Sequence, residues 1–229
     1  MSFTRRALSA CALAAALSLS ACANSSTNEE SPEEVLAAAK TNLDETSGVH
    51  LDLSTKELPP NVDGILTATG VGTHDPAFKG DLKVAAGGIT ADVPVVAAQG
   101  KVFAKLPFTT KFVDIDPSAY AAPDPARLMD PDEGLSSLLT AAEDVKEGKQ
   151  VRSGEDVLAS YDATVPGSVV AGIIPSASEG TDFDARFTVD AKDHLREAVL
   201  TGPFYPKAED VTYTITFDKY DTTADITVP

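Results

Sequence analysis

Apolar and polar residues alternate along most of this chain, and a period of two restricts the folds open to it. In the segment 49–54, for example, Val49, Leu51 and Leu53 are separated by polar residues. Successive side chains of a β-strand point to opposite faces, so the pattern predicts strands with one buried and one solvated face. The same alternation recurs at residues 78–86, 89–97, 182–190, 211–217 and 220–228.

Turn-forming residues separate these segments at intervals of roughly ten residues, which is typical of hairpins joined in a meander. The turn signals are Gly87-Gly88, Gln99-Gly100, residues 191–193 and Asp218-Lys219. We expect about six strands, then helices, then about five strands.

Two longer helices and two short helical turns are predicted between the strands. Ser31, Pro32 and Glu34 have the pattern of a capped helix start, and this helix is expected to end by Gly48. Apolar residues at helical spacing predict a second helix at residues 134–147. Short helical turns are predicted at residues 124–129 and 167–174. The predicted fold class is α+β: a large curled antiparallel β-sheet of about ten strands with α-helices on its concave face.

The apolar face of such a sheet is wider than the helices that must cover it. About ten strands at a spacing of 4.7–4.9 Å span on the order of 45 Å, whereas a helix is about 10–12 Å across. A sheet that curls around the helices without filling the space encloses an apolar cavity suited to a hydrophobic ligand. Tight packing of helices on the sheet is the alternative explanation. Small side chains occupy many inward positions: Ala68, Gly70, Ala86, Ala91, Ala97, Ala104, Ala185 and Ala224.

The first residues have the features of a bacterial lipoprotein signal. Arg5 and Arg6 precede an apolar run at residues 7–19 that is too short to span a bilayer, and Leu-Ser-Ala-Cys ends at Cys22. We expect cleavage before Cys22 and acylation of its sulfur. An ordinary signal peptide that ends beside a cysteine by chance is the alternative.

This signal divides the chain into three parts. Residues 1–21 are the expected cleaved lipoprotein signal peptide, residues 22–31 the lipidated cysteine with a flexible tether, and residues 32–229 a single lipid-binding domain. Two or three acyl chains, palmitate among them, hold a protein on a membrane stably. The expected location is therefore the cell membrane, with the lipid anchor on the extracytoplasmic face.

The strong negative charge argues against some partners, and keeping an exported protein soluble is the alternative explanation for it. Residues 1–21 contain two arginines and no acidic residue, so their removal changes the formal net charge from −17 to −19. This charge argues against nucleic acid and against tight contact with an anionic membrane surface. The other cysteine, Cys11, lies in the cleaved segment, which leaves no disulfide or cysteine-based metal site in the mature chain.

Residues 120–135, Tyr-Ala-Ala-Pro-Asp-Pro-Ala-Arg-Leu-Met-Asp-Pro-Asp-Glu-Gly-Leu, carry a family resemblance. Together with the Cys22 signal, the tether and the segments 79–84 and 90–100, they make the mature chain resemble the LppX/LprA/LprF/LprG lipoproteins of actinobacteria of the mycobacterial type, closest to the LprG branch. The resemblance implies a curled sheet similar to the LolA/LolB half-barrel, with a cavity for acyl chains.

What such a cavity holds also follows from the resemblance. The implied ligands are a triacylated glycolipid, a lipoglycan or triacylglycerol, which the protein transfers within the cell envelope. The implied partner is a membrane transporter of the major-facilitator type, and no cofactor is implied. A structural or scaffolding lipoprotein that supports a transporter without carrying lipid is the alternative function.

Polar side chains give no sign of an enzyme. His50, His74 and His194 lack a second ligand at a spacing typical of metal sites, and no Gly-x-Ser-x-Gly motif occurs. We therefore predict no catalytic residue, no metal site and no enzymatic activity. An enzyme that acts on envelope lipids is disfavoured on the same grounds.

The candidate functional residues are apolar, apart from Cys22. A polar headgroup would lie at the mouth of the cavity, for which the loops at residues 109–111 and 204–207 are candidates. The pattern does not separate cavity wall from plain core. Inward candidates from the strands are Leu82, Val84, Val93 and Val95, and those from the helices are Leu135, Leu138, Leu139, Val169, Val170 and Ile173.

Overall fold

A single antiparallel sheet of twelve strands forms the framework of the computed structural model, which describes residues 30–154 and 156–229. Cys22, the cleavage site and most of the tether lie outside the described residues. The first six strands are β1 (Gly48–Ser54), β2 (Gly64–Thr73), β3 (Ala77–Ala86), β4 (Ile89–Ala98), β5 (Lys101–Ala104) and β6 (Val113–Ile115). The others are β7 (Glu143–Glu147), β8 (Val151–Ser153), β9 (Asp156–Val165), β10 (Phe183–Val189), β11 (Leu195–Gly202) and β12 (Val211–Asp218).

The sheet consists of two meanders joined at their first and last strands. The strand order is β6-β5-β4-β3-β2-β1-β12-β11-β10-β9-β7, and β8 also pairs with β9. Leu51 pairs with Phe217 across the junction of β1 and β12. These pairings place the inward residues of both meanders on one continuous face, as the period of two predicts.

Among residues 30–154 and 156–229 there are three α-helices and two 3₁₀ turns, and all but the turn Pro117–Tyr120 bury side chains in the core. They are α1 (Pro32–Glu45), α2 (Ser137–Thr140), α3 (Gly167–Ile173) and the turns Pro117–Tyr120 and Pro125–Arg127. The predicted start of α1 is confirmed, because Ser31 Oγ accepts a hydrogen bond from Glu34 N–H while the Glu34 carboxylate accepts one from Ser31 N–H. Leu36, Ala39 and Leu43 of α1 are fully buried in the core.

The predicted helix at residues 134–147 is wrong for most of its length. Only α2 is helical, and the chain then forms β7, which pairs with β9. Asp144 has a positive φ of 52° within a shift of the β7–β9 register, a conformation that interrupts a helix. Pairing with β9 therefore overrides the helical spacing of apolar residues in this segment.

The predicted last strand at residues 220–228 is also wrong. Lys219 and Asp221 have positive φ angles of 50° and 59°, so the extended backbone is interrupted after β12. Tyr220 instead stacks on His194, with ring centroids 4.4 Å apart, and donates a hydrogen bond to the Leu195 carbonyl. The predicted α+β class with one large antiparallel sheet is confirmed, with twelve strands where about ten were expected.

Two glycines of α3 provide a matched test of the packing. A Cβ at Gly167 would lie 2.2 Å from the Thr181 carbonyl oxygen, whereas a Cβ at Gly172 would meet no atom within 4 Å. We expect Gly167→Ala to lower the free energy of unfolding in urea by about 1–3 kcal/mol, because backbone must move. Gly172→Ala should raise it by about 0.5–1 kcal/mol, because alanine is the better helix former. Equal effects of the two substitutions would contradict this packing of α3.

Candidate functional site

The two halves of the concave face are filled by side chains of different size. On the β9–β12 half, Phe183, Phe187 and Phe217 are almost completely buried. On the β2–β6 half, several inward positions have small residues: Gly70 pairs with Gly80, and Ala97 lies between Phe78 and Val102. The sheet itself therefore leaves more room over β2–β6.

Phe78 and Met129 fill part of this room. A Cβ at Gly70 or Gly80 would lie 2.6 Å or 2.7 Å from Cζ of Phe78, so this ring covers both glycines. A Cβ at Gly72 would lie 2.8 Å from Cγ of Met129, which reaches the sheet from the segment after Pro125–Arg127. A larger side chain at Gly70, Gly72 or Gly80 would therefore displace Phe78 or Met129.

Beyond Phe78 the concave face is incompletely covered. Leu53, Ala68, Leu82 and Val84 point inward by register but are only partly buried, and we call these four residues the open patch. In the neighbouring strand, Val93 and Val95 are buried. The open patch is therefore apolar surface on the inner side of the sheet that the helices do not cover.

A groove lies where the β5–β6 edge meets the helical side, and we call it the edge groove. Its volume is about 460 Å³, within the range of roughly 300–1,000 Å³ that small-molecule sites occupy. Val102, Ile115, Leu128 and Ile173 contribute apolar surface that continues into the core. The edge groove is open to solvent and is not a closed chamber.

Charged residues at the rim of the edge groove hold the local backbone. Arg127 and Glu133 form an ion pair, and Asp124 Oδ1 accepts a hydrogen bond from Ala126 N–H at 2.9 Å. Asp116 Oδ1 accepts from Ser118 N–H and Ser118 Oγ, and these hydrogen bonds lower the pKa of the Asp116 carboxyl. The Asp-Pro pairs of this segment thus act as starts of 3₁₀ turns that shape the groove wall.

The predicted cavity residues lie in or against one hydrophobic core. Ile173 also lines the edge groove, and Leu82 and Val84 belong to the open patch. Whether these residues contact a ligand stays a prediction. The buried members are Val93, Val95, Leu135, Leu138, Leu139, Val170 and Ile173, and the partly buried members packed against them are Leu82, Val84 and Val169.

The loops predicted to hold a headgroup do not line the edge groove. Phe204 is buried in edge-to-face contacts with Phe183 and Tyr213, at centroid distances of 4.9 Å and 5.0 Å. Burial raises the pKa of Tyr213, whose hydroxyl donates to the Ile65 carbonyl. Sequence reasoning missed the groove wall at residues 114–118, although Asp116-Pro117 marks its turn.

Other kinds of site receive no support in the part of the chain that the structure describes. Across residues 30–154 and 156–229, no three His, Cys, Asp or Glu side chains are grouped so as to hold a metal ion. Among the helices formed by these residues, none is both long and apolar enough to cross a bilayer.

The twelve-stranded curled sheet with helices on its concave side and one apolar core is the fold of a lipoprotein domain. Residues 31–228 match the family model described as "LppX_LprAFG lipoprotein", and the chain belongs to this family. No curated protein sequence matches the chain.

Solved structures of two family members share the fold. LprF from Mycobacterium bovis aligns with a TM-score of 0.70 at 14% identity, over 86% of this chain and 96% of that one. LppX from Mycobacterium tuberculosis aligns with a TM-score of 0.63 at 15% identity, over 86% of this chain and 98% of that one. The predicted family is confirmed, and closeness to the LprG branch stays a prediction.

Substitution of Asp130 tests how hydrogen bonds stabilise the wall of the edge groove. Its Oδ1 accepts hydrogen bonds from Glu133 N–H and Asp132 N–H, each at 2.9 Å, and these bonds hold the pKa of the carboxyl below its ordinary value of 3.8. We expect Asp130→Ala to lower the free energy of unfolding at pH 7 by about 0.5–2 kcal/mol, as for loss of a cap.

The sign of the pH dependence follows from the lowered pKa. The carboxylate stabilises the fold above its unfolded pKa, and this contribution is lost as the pH falls through the lower, folded pKa. The difference between wild type and Asp130→Ala in urea unfolding should therefore shrink on acidification to below 3.8. Asp132→Ala is the control, and an equal loss of stability in that variant would contradict the assignment.

Proposed function

We propose that this protein is a membrane-anchored carrier that binds the acyl chains of a lipid or glycolipid over the β2–β6 half of its sheet and transfers that lipid within the cell envelope. The observation that carries the proposal is the unequal filling of the concave face. Large aromatic side chains fill the β9–β12 half, whereas small residues and the open patch lie on the other half.

The proposed binding surface consists of the open patch and the edge groove. The open patch offers Leu82 and Val84 to an acyl chain, and the edge groove adds Val102, Ile115 and Ile173 at the sheet edge. Complete transfer of a sixteen-carbon chain from water into an apolar environment is favourable by roughly 13 kcal/mol, at about 0.8 kcal/mol per CH₂, and the proposed surface provides part of this gain.

The proposed anchor is acylated Cys22, with residues 23–31 as its tether. Nine tether residues extend to at most about 30 Å, so the domain stays beside the extracytoplasmic face of its membrane. Such a protein collects lipid locally and hands it to a neighbour. The proposed neighbour is a major-facilitator-type transporter, and the proposed cargo is a triacylated glycolipid, a lipoglycan or triacylglycerol, as the family resemblance implies.

The proposed carrier is not an enzyme. The polar side chains at the edge groove already have structural partners: Asp116 and Asp124 cap turns, and Arg127 pairs with Glu133. The Ser118 hydroxyl donates to the turn-capping Asp116, and the groove lining contains no histidine that could act as the base of a serine nucleophile.

A scaffolding lipoprotein that supports a transporter without lipid is the second candidate. The observation in its favour is the dense core over β9–β12, where Phe183, Phe187, Val165 and Val189 are almost completely buried. A scaffold needs no ligand, so lipid bound in stoichiometric amount separates the two candidates.

Leu82→Trp tests the open patch. Leu82 is partly buried on the concave side, whereas its neighbour Asp81 is exposed on the other side of β3. We expect wild-type protein purified from its own membrane to release diacyl or triacyl lipid on solvent extraction, and Leu82→Trp to release at least about threefold less, because the added ring occupies the acyl-chain surface.

Asp81→Trp is the matched control for added bulk and should load like wild type. Urea unfolding checks that both variants fold. Lipid-free wild-type protein would favour the scaffold, and equal loading of the two folded variants would remove Leu82 from the binding surface.

Gly172→Trp tests the edge groove in the same way. A Cβ at Gly172 meets no atom within 4 Å and Gly172 lines the groove, so an indole there fills the groove without displacing the core. We expect a several-fold slower exchange of a fluorescent diacyl lipid. Gly180→Trp, where a Cβ also meets no atom within 4 Å, is the control, and equal exchange rates would show that lipid does not pass the edge groove.

A further inference from the structure

The loop between β5 and β6 exposes an aromatic side chain in an unusual backbone conformation. Phe108 is 102% exposed, and Leu106 beside it is 37% exposed. Pro107 and Phe108 are the central residues of a tight turn in which Thr109 N–H donates to the Leu106 carbonyl at 3.1 Å. Phe108 has a φ of 67°, a value at which this turn type favours glycine.

Neither packing nor turn geometry accounts for phenylalanine at this position. Its ring is fully solvated, and its positive φ is strained for a residue with a Cβ. A side-chain hydrogen bond also stabilises the turn, because Thr109 Oγ1 donates to the Leu106 carbonyl at 2.7 Å. A strained turn that holds a solvated aromatic ring at its tip points to a functional role for that ring.

The charge around the tip identifies the chemistry of the partner. Lys105 and Lys111 flank the turn, and residues 105–112 contain no acid in a chain whose formal net charge is −17. Both lysines are exposed, and neither forms an ion pair within residues 30–154 and 156–229. Beyond a Debye length of about 8 Å at physiological ionic strength, the acidic remainder of the surface is screened.

We propose that residues 105–112 are a second membrane contact, in which Leu106 and Phe108 enter the interface of a bilayer and Lys105 and Lys111 bind its anionic phosphate groups. Aromatic rings and lysines suit this interface, where one end of a side chain is apolar and the other wet. The chain belongs to a lipoprotein family, and the proposed anchor at Cys22 keeps such a surface beside the domain.

The position of the loop determines how the domain is oriented when the loop contacts the membrane. Ala104 pairs with Val95, and Lys105 N–H donates to the Pro94 carbonyl, so the loop leaves the sheet at the level where Leu82 pairs with Val93. Docking therefore turns the end of the sheet that carries the open patch toward the bilayer. The edge groove, at the other ends of β5 and β6, then faces away from it.

The absence of tryptophan from the whole chain provides the test. Phe108→Trp places a single indole at the tip, and Tyr120→Trp places one at a residue that is 69% exposed elsewhere. The full acylated protein is reconstituted in vesicles of phosphatidylcholine and phosphatidylglycerol with or without bromine on the acyl chains. Because an interfacial group lies about 5–10 Å into the headgroup/acyl boundary, we expect roughly half of the Phe108→Trp emission to be quenched and little of the Tyr120→Trp emission.

Charge reversal separates the roles of the two residue types. The double variant Lys105→Glu, Lys111→Glu in the Phe108→Trp background should abolish the quenching, whereas the double variant Lys79→Glu, Lys149→Glu should not.

Phe108→Gly tests the strain of the turn and should leave the midpoint of urea unfolding unchanged or raised, since glycine accepts the positive φ. Equal, weak quenching of both indoles would overturn the proposal and assign the loop to a protein partner. Lipid extraction from the same preparations reports the carrier function separately, because indole quenching at the tip requires no bound cargo.

Discussion

Burial of one face of a single twelve-stranded sheet is the constraint on which the rest of this structure depends. The pairing of β1 with β12 joins two meanders, so that Leu51 and Phe217 lie on the same inner surface. The three helices of the described residues must cover that surface, and α1 packs on it through its fully buried Leu36, Ala39 and Leu43. The proportions of sheet and helix therefore leave part of an apolar face without a helical partner.

Side-chain size decides where the uncovered part lies. The aromatic residues of β10 and β12 complete the core on one half, whereas Gly70, Gly72 and Gly80 of β2 and β3 depend on Phe78 and Met129 for cover. The open patch follows from this difference, and the proposed carrier function follows from the open patch. The proposed anchor, the loop and the patch then have related roles: we propose that the tether keeps the domain at the membrane and that residues 105–112 set its orientation there.

Local patterns predicted those parts of the structure that local forces determine. The alternation of Val49 to Leu53, the capping box at Ser31 and the inward parity of Leu82 and Val93 all rest on neighbours in sequence. Residues 143–147 were predicted as helix because their apolar spacing is helical, and only pairing with β9 makes them a strand. The edge groove was missed for the same reason, since Gly172 and Ile115 come together only through tertiary packing. Loop residues such as Phe108 carry no periodic signal, so their exposure and positive φ become evident only in the folded chain.

The most direct test of the central claim is to map where a photoactivatable diacyl lipid crosslinks to the folded, acylated protein. Peptide mass spectrometry then locates each adduct along the sheet. The account predicts adducts on inward residues of β2–β6, with Leu82, Val84 and Val102 among them, and displacement of the probe by native lipid extract. Adducts confined to β9–β12 or to the outer face of the sheet, or no displaceable adduct at all, would contradict it.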